Sequence, residues 1–472
     1  MSSIWCERAW LGPEGVADNI LLETDDDGAI THVGTAPRPA PGTGVLVLDG
    51  VVFPAAANAH SHAFHRALRG RTHAGRGDFW TWREQMYRAA GALTPGTYER
   101  LATAVFAEMV AAGFSSVAEF HYVHHRPDGA AYGGGGLGAE GAGPDGAASG
   151  ILADGDGHAG EHAMELALCR AAAAAGIRLT LLDTCYLSGG IGKPLTPEQQ
   201  RFGDGDVHGW LDRLDSLRKA VAARFDPARI TVGAALHSVR GVPESALPVI
   251  ADRLSPELPL HIHLSEQPAE NEACVAEYGV TPAGLLARHG LLSPRLGAVH
   301  ATHLTAEDIA LLGGAGATVV MCPTTEADLA DGIGPARALA DAGALIALGT
   351  DQHAVVDPWL EMRALEHGER LASGQRGRFT PDELLHAASA GAMAAMATPT
   401  AGIAVGMAAD LAAVNPASMR TVGSDPGQLP LTATSADVTA VVVGGELLAV
   451  NGIHSRLGQP ADLLAAALKE IA

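Results

Sequence analysis

A (β/α)8 barrel, joined to a small β domain built from both chain ends, is the fold predicted for this sequence of 472 residues. Three observations predict it. Short apolar, β-branched runs recur, longer stretches of helical periodicity separate them, and a polar, chemistry-bearing residue stands at the end of almost every run. Strands alternating with helices signal a parallel sheet, and eight such units favour a closed barrel. In that fold catalytic groups gather where strands end and βα loops begin.

In chain order the runs are VVFPAAA (51–57), SSVAEFH (115–121), IRLTLLDT (177–184), ITVGAAL (230–236), LPLHIHL (258–264), GAVHAT (297–302), ATVVMC (317–322) and ALIALGT (344–350). Between them, stretches such as TYERLATAVFAEMVAAG and VHGWLDRLDSLRKAVAARF repeat apolar residues every three to four positions, as core-facing helices do. The strand ends carry His60 and His62, Tyr122, Tyr186, His237, His263 with Glu266, His300, and Asp351. Residues 1–54 and 399–472 show short strands and turns without crossover helices, so the small β domain takes both ends and the barrel takes 55–398. Residues 129–160 are too glycine-rich for regular structure, and serve either as a lid over the pocket or as a passive insertion.

Composition narrows the function. Hydrophobic residues make up 47%, which is globular, and the formal charge of -22 with no Lys/Arg run argues against a nucleic-acid or anionic-membrane partner. A small anionic substrate would need locally placed arginines. The five cysteines lack C-x-x-C spacing, which fits a reducing compartment. With no signal-peptide pattern at the N-terminus and no long apolar run, a cytoplasmic, soluble protein is expected.

The stretch NAHSHAFHRALRG places His60, His62 and His65 within six positions. Period two puts His60 and His62 on one side of a strand end, as two imidazole ligands of a metal. HIHLSEQ supplies the third ligand, His263, with His261 a deeper hydrogen-bonded residue. Asp351 in LIALGTDQH supplies a carboxylate from the eighth strand, next to the first in a closed barrel. Three histidines and an aspartate plus water form an open, catalytic set. No lysine ends a strand, so one divalent ion is expected: zinc first, with iron or manganese left open by the ligand types. Such an ion generates hydroxide at neutral pH. Asp351 takes the proton, Glu266 shuttles protons to substrate nitrogen, and His300 supports the developing charge.

The motifs HSH, HIHxxE, VHATH and GTD resemble the amidohydrolase superfamily in its single-metal deaminase branch, and GMAADLAAVN resembles that superfamily's composite β domain. Within it, HSHAF, FWTWREQMYR, VAEFHYVHH, LHSVRGV, HIHLSEQP, VHATH and CPTTEADLADGIGP resemble the formimidoylglutamate deiminase family over almost the whole chain. The resemblance implies an amidohydrolase-type barrel, metal on His60, His62, His263 and Asp351, and catalytic roles for Glu266 and His300. It implies substrate contacts at Tyr122, His237, Arg240 and Arg83, and a homodimer. The implied reaction, a step of histidine degradation, is hydrolysis of N-formimino-L-glutamate to N-formyl-L-glutamate and ammonia, with hydroxide at the metal attacking the formimino carbon. An arginine fork suits each substrate carboxylate. Two places depart from the family pattern: His65 stands where glutamine is common, and Gln352 and His353 follow the metal aspartate where Ser-Asn is common. His65, near the expected formimino or carboxylate contacts, can donate in glutamine's place or can mark a related formimino or guanidino acid. The alternatives are deamination of a cyclic purine, pyrimidine or pterin, and a catalytically silent metal-binding protein, whose mark would be loss of Glu266 or Asp351.

Overall fold

The structure, a computed structural model, describes residues 2–72, 79–133, 160–398 and 401–471. Two eight-stranded sheets organise them. The N-terminal end supplies β1 (Ser2–Trp10), β2 (Val16–Thr24), β3 (Ile30–Thr35) and β4 (Leu46–Pro54). The barrel strands follow: β5 (Ala56–Ser61), β6 (Phe114–His121), β7 (Arg178–Cys185), β8 (Ile230–Leu236), β9 (Leu260–Leu264), β10 (Leu296–His300), β11 (Thr318–Met321) and β12 (Leu345–Leu348). They lie side by side in sequence order, every pair parallel. The C-terminal end adds β13 (Leu411–Val414), β14 (Val438–Val443), β15 (Glu446–Val450) and β16 (Ile453–His454), giving a mixed sheet ordered β16-β15-β14-β13-β4-β1-β2-β3. The predicted fold class is therefore observed, with two corrections.

The run 51–57 is two strands. Val51–Pro54 pair antiparallel with β13, whereas the barrel strand starts at Ala56. The chain changes sheets at Pro54 and Ala55, where Ala55 N–H donates to Asp410 O (2.9 Å) and Ala56 N–H to Gly113 O (2.9 Å). A single apolar run hides this switch because both strands are fully buried there. The second correction is a helix, Pro460–Glu470, in the end expected to hold only strands and turns. Its Leu464 and Ala467 are buried, and Glu470 pairs with Arg100 of the helix Pro95–Ala112.

Helix Pro95–Ala112 shows how the layers join. Thr94 caps it by accepting from Thr97 N–H (3.2 Å), and Gly113, at φ 113°, ends it in the left-handed region. Leu101, Val105, Phe106 and Met109 are fully buried and belong to the main core, which fills the barrel and the layer beneath its helices. A smaller core, including Ile4, Leu22, Ile30, Leu48 and Leu411, supports the mixed sheet. Among the described residues no helix is long and apolar enough to cross a membrane. Most of the glycine-rich segment, 134–159, lies outside the described residues.

The last barrel strand meets the first through few but specific bonds. Asp351 N–H donates to His60 O (3.0 Å), His62 N–H to Asp351 O (3.0 Å), and Thr350 N–H to the Asn58 side-chain oxygen (3.0 Å). Gly349 permits the approach: a Cβ there would sit 2.8 Å from His60 Cβ and 3.0 Å from both its N and O. Overfilling a packed contact costs about 1–3 kcal/mol. Gly349→Ala is therefore expected to lower stability by about that amount in urea denaturation and to reduce bound metal per chain, because the clash falls on His60.

Candidate active site

His60 lies in β5 with His62 one residue beyond it, His263 in β9, His300 at the end of β10, and Asp351 three residues past β12. The folded chain brings them together. His263 Nε2 lies 3.1 Å from His60 Nε2 and 3.3 Å from His62 Nε2, while Asp351 Oδ1 lies 3.4 Å from His60 Nε2 and 3.5 Å from His62 Nε2. His300 stands slightly farther, its Nε2 3.9 Å from Asp351 Oδ2. Two overlapping groups of possible metal donors result, His60/His263/His300/Asp351 and His62/His65/Asp351.

The proton positions follow from the partners. His62 Nδ1 contacts Phe120 O and His263 Nδ1 contacts His237 O, both at 2.8 Å, and a carbonyl only accepts. Each ring therefore carries its proton on Nδ1, leaving two Nε2 lone pairs facing each other across 3.3 Å. Two lone pairs at that distance repel unless a cation lies between them. Burial, with the neighbouring imidazoles, pushes His62 down to about 3 and His60 and His263 well below the usual range, so all three stay neutral. The spacing also fits an ion. Ligand bonds of about 2.1 Å in a tetrahedron give ligand–ligand edges of about 3.4 Å. The four contacts among His60, His62, His263 and Asp351 match such edges.

Backbone strain concentrates here. Ser265, His300, Ala301, Asp351 and His353 account for five of the ten non-glycine residues with positive φ among the described residues. Such conformations persist where surrounding structure imposes them, commonly at functional sites. Burial opposes protonation of His300, but Glu326 (3.5 Å from Nδ1), Glu266 and Asp351 outweigh it and push the imidazole up to about 10.

A cavity of about 620 Å3 opens over the cluster, reached by His62, His263, Glu266, His300 and Asp351. Glu266 follows β9 and receives Arg240 Nη2 at 3.4 Å. Arg240 and His237 belong to the loop after β8, and the His237 ring packs on Tyr186 at 4.2 Å. Tyr122, just past β6, contacts His65 Nε2 through its hydroxyl at 3.0 Å. Arg83 reaches the cavity from helix Phe79–Ala92, its Nε donating to Tyr87 Oη at 2.8 Å. His261, two residues before His263, bonds Ala395 O instead (2.8 Å) and stands apart from the cluster.

The sequence-selected residues thus converge, with two exceptions. Gln352 accepts from Trp82 Nε1 (2.7 Å) and donates to Asp328 (2.8 Å), while His353 bridges Thr350 (2.9 Å) and Ser61 (3.1 Å). Neither lines the cavity, and both act as braces behind it. Sequence reasoning passed over Tyr87, Glu270 and Glu326. Glu326, which accepts from Cys322 N–H (2.9 Å), lay inside the quoted motif CPTTEADL without a role. Glu270 follows Glu266 by four residues, a spacing that could have flagged it.

A second buried group, His121, His124 and Glu165, also brings metal-type donors together. It is a charge network. Both ring nitrogens of His124 are engaged, by Glu165 Oε1 (2.8 Å) and Thr184 O (2.9 Å), and Arg213 already supplies the cation for Glu165 (3.4 Å), Asp183 (2.5 Å) and Asp204 (2.6 Å).

Residues 51–448 match the amidohydrolase family model. Formimidoylglutamate deiminase of Pseudomonas aeruginosa is 35% identical over 438 residues, covering 90% of this chain and 87% of that protein. The 5-methylthioadenosine/S-adenosylhomocysteine deaminase of Halobacterium salinarum is 28% identical over 445 residues, covering 92% and 89%. Among solved structures, an amidohydrolase from Brucella melitensis has a TM-score of 0.85 at 28% identity, with all of both chains covered. A parallel barrel with a buried imidazole–carboxylate cluster at its strand ends, and these relatives along nearly its full length, make this chain a member of the amidohydrolase family of metal-dependent hydrolases, with deaminases among its relatives.

Proposed function

We propose that the protein hydrolyses N-formimino-L-glutamate to N-formyl-L-glutamate and ammonia, using one divalent ion, zinc in the first instance, held by His60, His62, His263 and Asp351. The observation that carries this reading is the presence of two guanidiniums, Arg83 and Arg240, in the wall of the same cavity as the histidine–aspartate cluster. A substrate with two carboxylates and one linear amidine uses both kinds of group. The resemblance to formimidoylglutamate deiminase of Pseudomonas aeruginosa supports the same assignment.

The ion supplies a Lewis acid and lowers the pKa of water from 15.7 towards about 7. The remaining steps fall to the side chains. Arg240 and Arg83 each take a carboxylate, which places the formimino carbon over the cluster and converts binding energy into orientation. Asp351 accepts a proton from the attacking water. Glu266, at the cavity surface, delivers a proton to the imino nitrogen, and His300 donates a hydrogen bond to the developing negative charge. The new bond joins water oxygen to the formimino carbon; as the bond to the terminal nitrogen breaks, the proton held by Asp351 passes to that nitrogen and the remaining proton on the oxygen returns to Glu266, so ammonia leaves and both carboxyl groups regain their starting state. Tyr122, His237 and His65 complete the wall that orients the amidine.

Steady-state ammonia release tests this directly, with N-formimino-L-glutamate, N-formimino-L-aspartate, guanine, cytosine and adenosine run side by side. Selective turnover of formiminoglutamate is expected; turnover of a ring substrate alone would keep the metal assignment and overturn the substrate. Glu266→Gln is expected to retain one ion per chain by elemental analysis while kcat falls about 10²–10⁴-fold. Dialysis against a chelator should abolish activity and lower the Tm, and added zinc should restore both, since a ligand bound only to the folded state stabilises it.

A further inference from the structure

Glu270 lies in the first turn of helix Pro268–Tyr278, and its side chain is wholly buried at the cavity wall. Neither carboxylate oxygen has a hydrogen-bond partner, an arrangement strongly disfavoured unless it serves a nearby cation. That cation is Arg240, whose Nε is also buried without a hydrogen-bond partner and lies 3.8 Å from Glu270 Oε2. The two orphaned groups face each other. On its other side Arg240 reaches Glu266 through Nη2 at 3.4 Å, and 26% of its side chain is exposed.

A guanidinium offers two edges for paired hydrogen bonds, one through Nε and one through its two Nη nitrogens. We propose that Glu270 is a positioning residue: it occupies the Nε edge of Arg240 and so turns the Nη edge to the cavity, setting the affinity for the substrate carboxylate that Arg240 takes. This rests on the assignment of Arg240 as a carboxylate contact. Burial, with Glu266 nearby, pushes Glu270 up to about 7, and Arg240 pulls it down.

Two measurements on the metal-loaded full chain test the role. Calorimetric titration with glutarate reads the anion site without turnover; steady-state kinetics use N-formimino-L-glutamate beside N-formimino-L-glutamine and N-formimino-4-aminobutyrate, each lacking one carboxylate. Glu270→Ala is expected to weaken glutarate binding and raise KM for formiminoglutamate by about tenfold, with kcat changed less than about threefold. Glu270→Gln should lose less, because its amide oxygen still presents a negative dipole to Nε. One of the two analogues, the one without the carboxylate that Arg240 binds, should be insensitive to both substitutions. Unchanged glutarate binding in both variants, or equal losses of kcat and KM on all three substrates, would overturn the positioning role. If Glu270→Ala does not fold, Glu270→Gln and Glu270→Asp carry the same comparison. Failure of the substrate assignment is separate: the unsubstituted protein would not turn over formiminoglutamate, while glutarate binding would still respond to Glu270.

Discussion

The seam between the first and last barrel strands is the constraint on which the rest of the site depends. The backbone bonds that bring β12 to β5 run between His60, His62 and Asp351, the residues whose side chains converge on the cluster. Closing the barrel and assembling the donor cage are therefore one event. Asn58 extends the seam, donating to Thr350 Oγ1 (2.6 Å) and accepting from Thr350 N–H (3.0 Å). Behind it, His353 locks Thr350 to Ser61, whose hydroxyl donates to the buried Glu119 (2.5 Å). Because both strands are fixed on their far sides by the parallel ladder, the donors have little freedom to relax apart. Lone pairs held in mutual opposition by an enclosing scaffold form a preorganised cation site.

Electrostatics divides the cavity into two regions. Around the cluster, burial keeps His60, His62 and His263 neutral and so ready to ligate. Farther out, Arg83 and Arg240 provide positive charge in a chain whose formal net charge is -22. The global charge repels anions only over distances comparable to the Debye length, about 8 Å at physiological ionic strength. Inside the pocket nearby charges outweigh the distant net charge, and there Arg83 and Arg240 share the wall with Glu266, Glu270 and Glu277. An acidic protein and an anionic ligand are thus compatible, provided the arginines stand in the wall, as they do.

Much of this was legible in the sequence because strand ends in a barrel are a privileged location. Eight apolar runs located the barrel strands to within a few residues, and the residues at or just past their ends included every member of the cluster. What stayed hidden was information carried by tertiary contacts. Nothing local distinguishes Val51–Pro54 from Ala56–Ser61, since both are buried, yet they serve different sheets. Gln352 and His353 adjoin a cluster residue in sequence but turn away from the cavity, because Asp351 adopts a positive φ that redirects the chain. Glu270 and Glu326 gain their roles from partners 30 and 26 residues away, Arg240 and His300; the four-residue step from Glu266 could flag Glu270 as a candidate, but no spacing rule gives its partner.

His65 is the departure that bears most directly on substrate choice, and its surroundings limit what the change can do. The ring is buried, tilted against His62 with ring centroids 4.5 Å apart and bonded through Nε2 to the Tyr122 hydroxyl, and burial together with His62 keeps it far below the usual imidazole range. A neutral imidazole adds no charge to the pocket. Its Nδ1 is buried with no hydrogen-bond partner, so the ring retains one donor or acceptor function to offer, as a glutamine amide would. The difference is reach and stiffness: an imidazole has two side-chain torsions where glutamine has three, and packing against Phe64 at 4.3 Å and Trp82 at 5.2 Å fixes its plane. Glutamine could adjust to ligands of several lengths, whereas a clamped ring favours one. Under the proposed function, a clamped imidazole at this position would tighten geometric selection within the same chemistry and would leave the charge requirement of the pocket to Arg83 and Arg240.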